Sequence, residues 1–166
     1  MVTDQQRRAV YTGSFDPITL GHVNVIERAS RFVDLLIVGI GINVEKKSLF
    51  SPEERSELIQ LSTANIGNVE IRMFDGLAVS FVRECGASVM VRGIRPLTDI
   101  AAEFTMMLAN RELDPEIESV FLMADQRFAH VSSTLIKQIA PLADDDMLAK
   151  FLPAPIIPRL RAKLAA

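Results

Sequence analysis

The chain has a single cysteine, Cys85, and only two histidines, His22 and His130. A lone thiol excludes an internal disulfide framework and a multi-cysteine zinc site, and Cys85 itself reads as a buried structural thiol. The histidines lie far apart with no ligand-spaced carboxylates around them, so no dedicated protein metal site is expected. A basic excess is also lacking. The formal net charge of −3 over 166 residues argues against general nucleic-acid binding. The longest apolar run, Leu35 to Val44, is too short to cross a bilayer and stops at Glu45-Lys46-Lys47. No apolar segment backs the opening MVTDQQRR, so a secretory signal is not expected and a soluble, cytoplasmic protein without membrane partners is. The GxxxxGK[ST] phosphate loop and the GxSxG elbow are both missing, which argues against a P-loop kinase and a serine hydrolase. No repeat, low-complexity tract or linker interrupts the chain. With 49% hydrophobic residues, positions 1–166 are read as one domain with one sizeable core.

What is present is a regular alternation of short β-rich runs and helical patterns. Strands are expected at Ala9–Tyr11, Leu35–Ile40, Val69–Phe74, Ser88–Val91 and Ser119–Met123. Leu35–Ile40 shows no apolar–polar alternation, as suits a strand covered on both faces. Helices are expected at His22–Phe32, with Val23, Ile26, Ala29 and Phe32 inward, then at 52 onward, Leu77–Cys85, Thr98 or Asp99 to Leu113, from Ser133, and at Ile156–Leu164. Ser51, Pro52 and Glu54 form a capping-box start for the second of these. Such alternation implies right-handed crossovers and an α/β fold: a Rossmann-like, doubly wound sheet of five parallel strands with helices on both faces. Ligands of such sheets bind beyond the carboxyl ends of the strands, at the switch in strand order.

Four segments following strands carry unusual chemistry. After the first come Gly13, Ser14 and Phe15, then Thr19-Leu20-Gly21-His22 at a helix start. There the free N–H groups and the imidazole could face an anion, or His22 could simply cap its own helix. The positive helix end should lower the imidazole pKa, leaving cation or neutral donor open. After the second strand come Lys46 and Lys47, either anion ligands or a solvated charge pair. After the fourth, Arg92 ends an apolar strand, where a charge needs a partner or ligand, and Arg95 follows Gly93 and Ile94. Guanidinium forks suit phosphate oxygens; Glu103, one turn into the next helix, either pairs with an arginine or accepts from a ribose or base. After the fifth, Ser132, Ser133 and Thr134 stand at a helix start with Lys137 one turn on, three hydroxyls where a cap needs one. Phosphate-compatible groups at four strand ends converge on a polyphosphate.

YTGSFDPITLGH resembles the T/HxGH signature of the nucleotidyltransferase superfamily. With EKKSLFSPEER, VRGIR, ESVFLMA and VSSTLIK in order, nearly the whole chain resembles the bacterial phosphopantetheine adenylyltransferase family. The resemblance implies adenylyl transfer from ATP to 4′-phosphopantetheine with Mg²⁺ on the nucleotide, by direct in-line attack, in a homohexamer inhibited by coenzyme A. Carried over by position, it implies that His22, Lys46 and Arg95 are catalytic. Ser14, Phe15, His22, Gly93, Ile94, Arg95, Glu103 and the segment Phe128, Ala129, His130, Val131, Ser132, Ser133, Thr134 would contact ATP. Ser14, Lys46, Phe74, Ala78 and Arg92 would hold 4′-phosphopantetheine. Four positions depart from the family pattern: Thr12 and Val44 stand where proline is common, Ala102 for tyrosine, and Phe128 for tryptophan or tyrosine. Rival readings are a sister enzyme with another acceptor, such as nicotinamide mononucleotide or glycerol phosphate, and a non-catalytic nucleotide-binding regulator.

Overall fold

The computed structural model describes residues 6–43, 47–95 and 100–165. Five strands, β1 (Arg8–Gly13), β2 (Leu35–Gly41), β3 (Val69–Phe74), β4 (Val89–Ile94) and β5 (Glu118–Met123), form one parallel sheet in the order β3-β2-β1-β4-β5. Between and after them lie α1 (Leu20–Ser30), α2 (Pro52–Ser62), α3 (Ala78–Glu84), α4 (Ile100–Leu113), α5 (Ser133–Ile139), α6 (Asp145–Leu148) and α7 (Ile156–Ala165). The chain runs outward from β1 to β2 and β3, then crosses back to place β4 on the other side of β1. The switch in strand order therefore falls between β1 and β4, and the expected doubly wound fold is the observed one.

Alternation along the central strands divides the core in two. Ala9, Tyr11, Leu36, Val38 and Ile40 face α1, α2 and α5–α7, burying Val25, Ile26, Leu58, Ile59, Ile136 and Leu160. Val10, Ile37 and Met90 point the opposite way, against Val79, Phe81, Val82 and Cys85. Cys85 is buried as expected. The capping box at α2 is present in full: the Ser51 hydroxyl accepts from the Glu54 N–H, and the Glu54 carboxylate accepts from the Ser51 N–H at 2.7 Å. The terminal helix covers the core with Ile156, Ile157 and Leu160, while Arg161 donates to the carbonyls of Ala140 and Ala143 beyond α5.

Two expectations change. Helix α1 starts at Leu20 and ends at Ser30; Phe32 lies beyond it and is 40% exposed, while Val25 takes the inward place. Strand β4 extends three residues past Val91, so Arg92, Gly93 and Ile94 belong to the strand rather than the loop. The reason is that β5 offers partners throughout, pairing Arg92 with Phe121 and Ile94 with Met123, which overrides the weak strand preference of glycine. Helix α4 is described from Ile100, and its expected start at Thr98 or Asp99 lies outside the described residues, as do Val44 and Lys46.

Candidate active site

Beyond the carboxyl ends of β1 and β4 opens a cavity of about 280 Å³. Its floor and walls bring together Ser14, His22, Arg92, Gly93, Ile94, Arg95, Glu103, Phe128, Val131, Ser132, Ser133 and Thr134 of the expected set, from four separate stretches of sequence. Tyr11, Thr12, Gly13, Thr19, Gly21, Val25 and Ala124 complete the described lining. Gly93 is small for a packing reason, since a Cβ there would come within 3.0–3.1 Å of Val25 and the Tyr11 hydroxyl.

His22 is the third residue of α1 and does two things at once. The Thr19 hydroxyl accepts from the His22 N–H, and His22 Nδ1 accepts from the Thr19 N–H at 3.1 Å, a capping box with imidazole in the place of glutamate. A backbone N–H can only donate, so Nδ1 carries no proton and Nε2 carries it. Burial first, and then the positive field of Arg95, push the imidazole pKa from 6.5 down to about 4. The open question of cation or neutral donor thus resolves to neutral donor, with desolvation rather than the helix end as the main cause. The capping reading of His22 holds through Nδ1, and the same side chain lines the cavity. The Phe15 ring stands edge-on behind the imidazole, centroids 5.1 Å apart, and against Tyr11 at 5.4 Å.

Arg92 projects from β4 on the opposite side of the cavity. Its Nε and Nη2 donate to the two oxygens of Glu103 at 2.7 and 2.8 Å, a bidentate ion pair. Its Nη1 donates to the Thr12 carbonyl at 3.1 Å and the Thr12 hydroxyl at 2.9 Å. The structural alternative for Glu103, a pair with arginine, is therefore what the structure contains. Arg95 reaches across to the β5–α5 loop, donating to the Val131 carbonyl at 3.3 Å.

The α5 end is less generous than its sequence suggested. Ser132 caps the helix through the Leu135 N–H, and the Ser133 hydroxyl donates to the Pro17 carbonyl at 2.8 Å. Lys137 does not turn to the cavity: its ammonium pairs with Asp16 at 3.0 Å. Asp16 is buried and also accepts from the Leu49 and Phe50 N–H groups, tying the loop after β2 to the loop after β1. Phe15, Phe74, Ala78, Ala129 and His130 do not line the cavity. Phe15 is packed in the core, Phe74 stacks on Phe81, Ala78 opens α3, and the His130 ring meets Phe151.

Two residues of consequence escaped the sequence reading. Arg55 of α2 is only 3% exposed, and its guanidinium donates to the carbonyls of Ser14 at 2.9 Å and Gly41 at 3.4 Å. It clamps the loops after β1 and β2 from beneath. In SPEERSEL it looks like any solvated helix charge, and nothing local distinguishes it. Asp16 was legible in principle, as a carboxylate set among Phe15, Pro17 and Ile18, where burial demands partners.

Sequence comparison bears on what this cavity belongs to. Residues 10–139 match the cytidylyltransferase-like family. The chain is 71% identical over 159 residues to a phosphopantetheine adenylyltransferase of Rhodopirellula baltica, covering 95% of this chain and 89% of that protein. It is 44% identical over 158 residues to that of Clostridium botulinum, covering 95% of each. Among solved structures, the Plasmodium falciparum nicotinic acid mononucleotide adenylyltransferase complexed with NaAD superposes with a TM-score of 0.70 at 14% identity, over 95% of this chain and 96% of that one. At that identity the likeness speaks for the shared fold alone. The long, high-identity matches go further: the chain belongs to the cytidylyltransferase-like family and, within it, to the phosphopantetheine adenylyltransferases.

Proposed function

We propose that the cavity at the β1–β4 switch is where this chain transfers the adenylyl group of ATP to 4′-phosphopantetheine, giving dephospho-coenzyme A and pyrophosphate. The observation that carries the reading is the pairing of a proton-bearing His22 Nε2 with two guanidinium groups, Arg92 and Arg95, in one cavity at a helix start. A phosphate-monoester oxygen of the acceptor is already anionic at neutral pH, so no general base is needed. It attacks the α-phosphorus of ATP in line, the new P–O bond forms as the α–β bridging bond breaks, and pyrophosphate departs with that electron pair. The protein's work is alignment and offsetting of charge.

Each residue then has a role. His22 Nε2 donates to the oxygens of the α-phosphate, where charge develops. Arg95 supports the nucleotide phosphates. Ser14, Gly93, Ile94, Phe128, Val131, Ser132, Ser133 and Thr134 border the nucleotide, and Ser14 also meets the acceptor. Glu103 contacts the nucleotide once its hold on Arg92 is exchanged. Arg92 and Lys46 take the acceptor phosphate, Lys46 by family membership alone. Phe15, Ala129 and His130, whose side chains are turned elsewhere, contact ATP through their backbone, and Phe74 with Ala78 borders the pantetheine arm outside the cavity.

Mg²⁺ is proposed to arrive with the ATP phosphates as part of the substrate. Glu103 is the one carboxylate among the described lining residues and is engaged with Arg92, and the described residues hold no cluster of metal ligands. Coenzyme A, which carries the same pantetheine arm, is proposed as a feedback inhibitor. We also propose that residues 1–166 act as one domain, in a cytoplasmic homohexamer. Support for assembly comes from α4, which buries only Asn110 and leaves Phe104, Met106, Leu108 and Leu113 about half exposed. No described helix is long and apolar enough to cross a membrane.

The test is pyrophosphate release with Mg-ATP and, separately, 4′-phosphopantetheine, nicotinamide mononucleotide and glycerol 3-phosphate. Release with the first alone is the expected result. Release only with one of the others overturns the assignment of Arg92 and Lys46 to this acceptor.

A further inference from the structure

Thr12 occupies the last full pleat of β1 before the cavity. The β1–β4 register pairs Tyr11 with Val91, so one step further Thr12 stands beside Arg92 with its side chain on the same face of the sheet. A strand position that is 5% exposed ordinarily takes valine or isoleucine, which have the shape of threonine without its hydroxyl. A buried hydroxyl needs a partner. Here the partner is the guanidinium: Arg92 Nη1 donates to both the hydroxyl and the carbonyl of the same residue, at 2.9 and 3.1 Å.

The consequence concerns which edge of the guanidinium is available for exchange. Thr12 holds the Nη1 side with neutral acceptors that cannot leave, since one is backbone and the other is a short side chain on a central strand. Glu103 holds the Nε/Nη2 edge, the planar fork that matches a carboxylate or a phosphate. An arriving phosphate dianion competes with the Glu103 carboxylate for that fork. It does not compete with Thr12.

We propose that Thr12 is a positioning residue for the acceptor: it holds the Arg92 guanidinium in register while the Nε/Nη2 fork passes from Glu103 to the acceptor phosphate. The inference rests on the reading of Arg92 as an acceptor ligand. Without the Thr12 hydroxyl the guanidinium keeps its charge and its strand position but loses one of the two Thr12 acceptors that hold its Nη1 side.

The test compares Thr12→Val, Thr12→Ser and Thr12→Ala with Arg92→Ala in the full chain, measuring KM for 4′-phosphopantetheine, KM for ATP, kcat and thermal midpoint. Thr12→Val is expected to raise the acceptor KM about 3- to 10-fold, in keeping with the usual net worth of one lost hydrogen bond, with kcat and the ATP KM within about twofold. Thr12→Ser restores the hydroxyl and should return the acceptor KM to within about twofold of the parent. If Thr12→Val does not fold, Thr12→Ala, which creates no new contact, carries the same expectation. An unchanged acceptor KM in the hydroxyl-less variants, while Arg92→Ala raises it, overturns the role of Thr12 and leaves Arg92 in place. A rise in both KM values together, or no rescue by serine, also overturns it, because a merely structural loss would behave that way. An Arg92→Ala variant with unaltered acceptor KM overturns the underlying assignment instead.

Discussion

The two walls of the cavity hold their key side chains by opposite means. On the β1–α1 side, His22 is kept neutral by burial and oriented by a backbone N–H, so its donor is ready before any ligand arrives. On the β4–α4 side, the Arg92 guanidinium is oriented by the Glu103 carboxylate, a group that competes with phosphate for the same fork. The first arrangement is preorganised: nothing must be displaced for it to act, which is the condition under which a donor is worth most to a developing charge. The second is an exchange. It keeps a partly buried cation paired before a ligand arrives, at the cost of some affinity for the ligand that replaces the carboxylate. On the proposed roles, chemistry and binding fall to different walls, and substitutions should separate them.

The strongest test breaks the preorganised wall. His22→Ala is expected to lower kcat by roughly 10²–10³, the usual cost of one such donor, while ATP still binds. A variant within about threefold of the parent in kcat would remove His22 from the reaction. Glu103→Gln sharpens the other wall. Replacing a charged acceptor with a neutral one weakens the hold on the Arg92 fork by about 1 kcal/mol, so the acceptor KM should fall about fivefold. A higher acceptor KM would mean that the carboxylate holds Arg92 where the acceptor needs it.

pH separates the walls next. The unfolded chain takes a proton on His22 near pH 6.5 and the folded chain only near about 4. Between those values the unfolded state binds more protons, so this histidine makes stability fall as pH falls through that window. Denaturant titrations from pH 7 to pH 4 should therefore show a shallower loss in His22→Ala than in the parent. Equal slopes would show that the imidazole is not held neutral. The smallest effect is expected for Thr19→Val, which keeps the backbone donor to Nδ1 and removes only the hydroxyl cap. Stability should drop by about 1 kcal/mol with kcat within about threefold. A large kcat loss there would place tautomer control in the hydroxyl rather than the backbone.

Legibility followed the range of the interactions. The Ser51–Glu54 box and the continuous apolar run of β2 were readable because each signal lies within a few residues. Gly93 and Ile94 were misplaced into a loop because their strand character comes from β5, more than twenty residues away. Lys137 stood one turn behind three hydroxyls and looked like an anion ligand. Only the fold puts buried Asp16 beside it, and a buried carboxylate captures the nearest cation. Ser132 and Ser133 are likewise used internally, so the apparent surplus of hydroxyls around α5 shrinks to Thr134.

By itself, the sequence determined the alternation of strands and helices, hence the parallel sheet, and placed Thr19–His22 and Arg95 beyond strand ends, where ligands of such sheets bind. Those follow from local periodicity, short-range capping and the handedness of crossovers. Tertiary structure decided the rest: which nitrogen of His22 carries the proton, that Glu103 and Thr12 divide the Arg92 guanidinium between them, and that Arg55 clamps two loops from below. Each of these depends on groups brought together from distant or oppositely oriented segments. In a partly enclosed cavity, the charge and direction of a polar side chain are set by its neighbours in space, which its neighbours in sequence do not reveal.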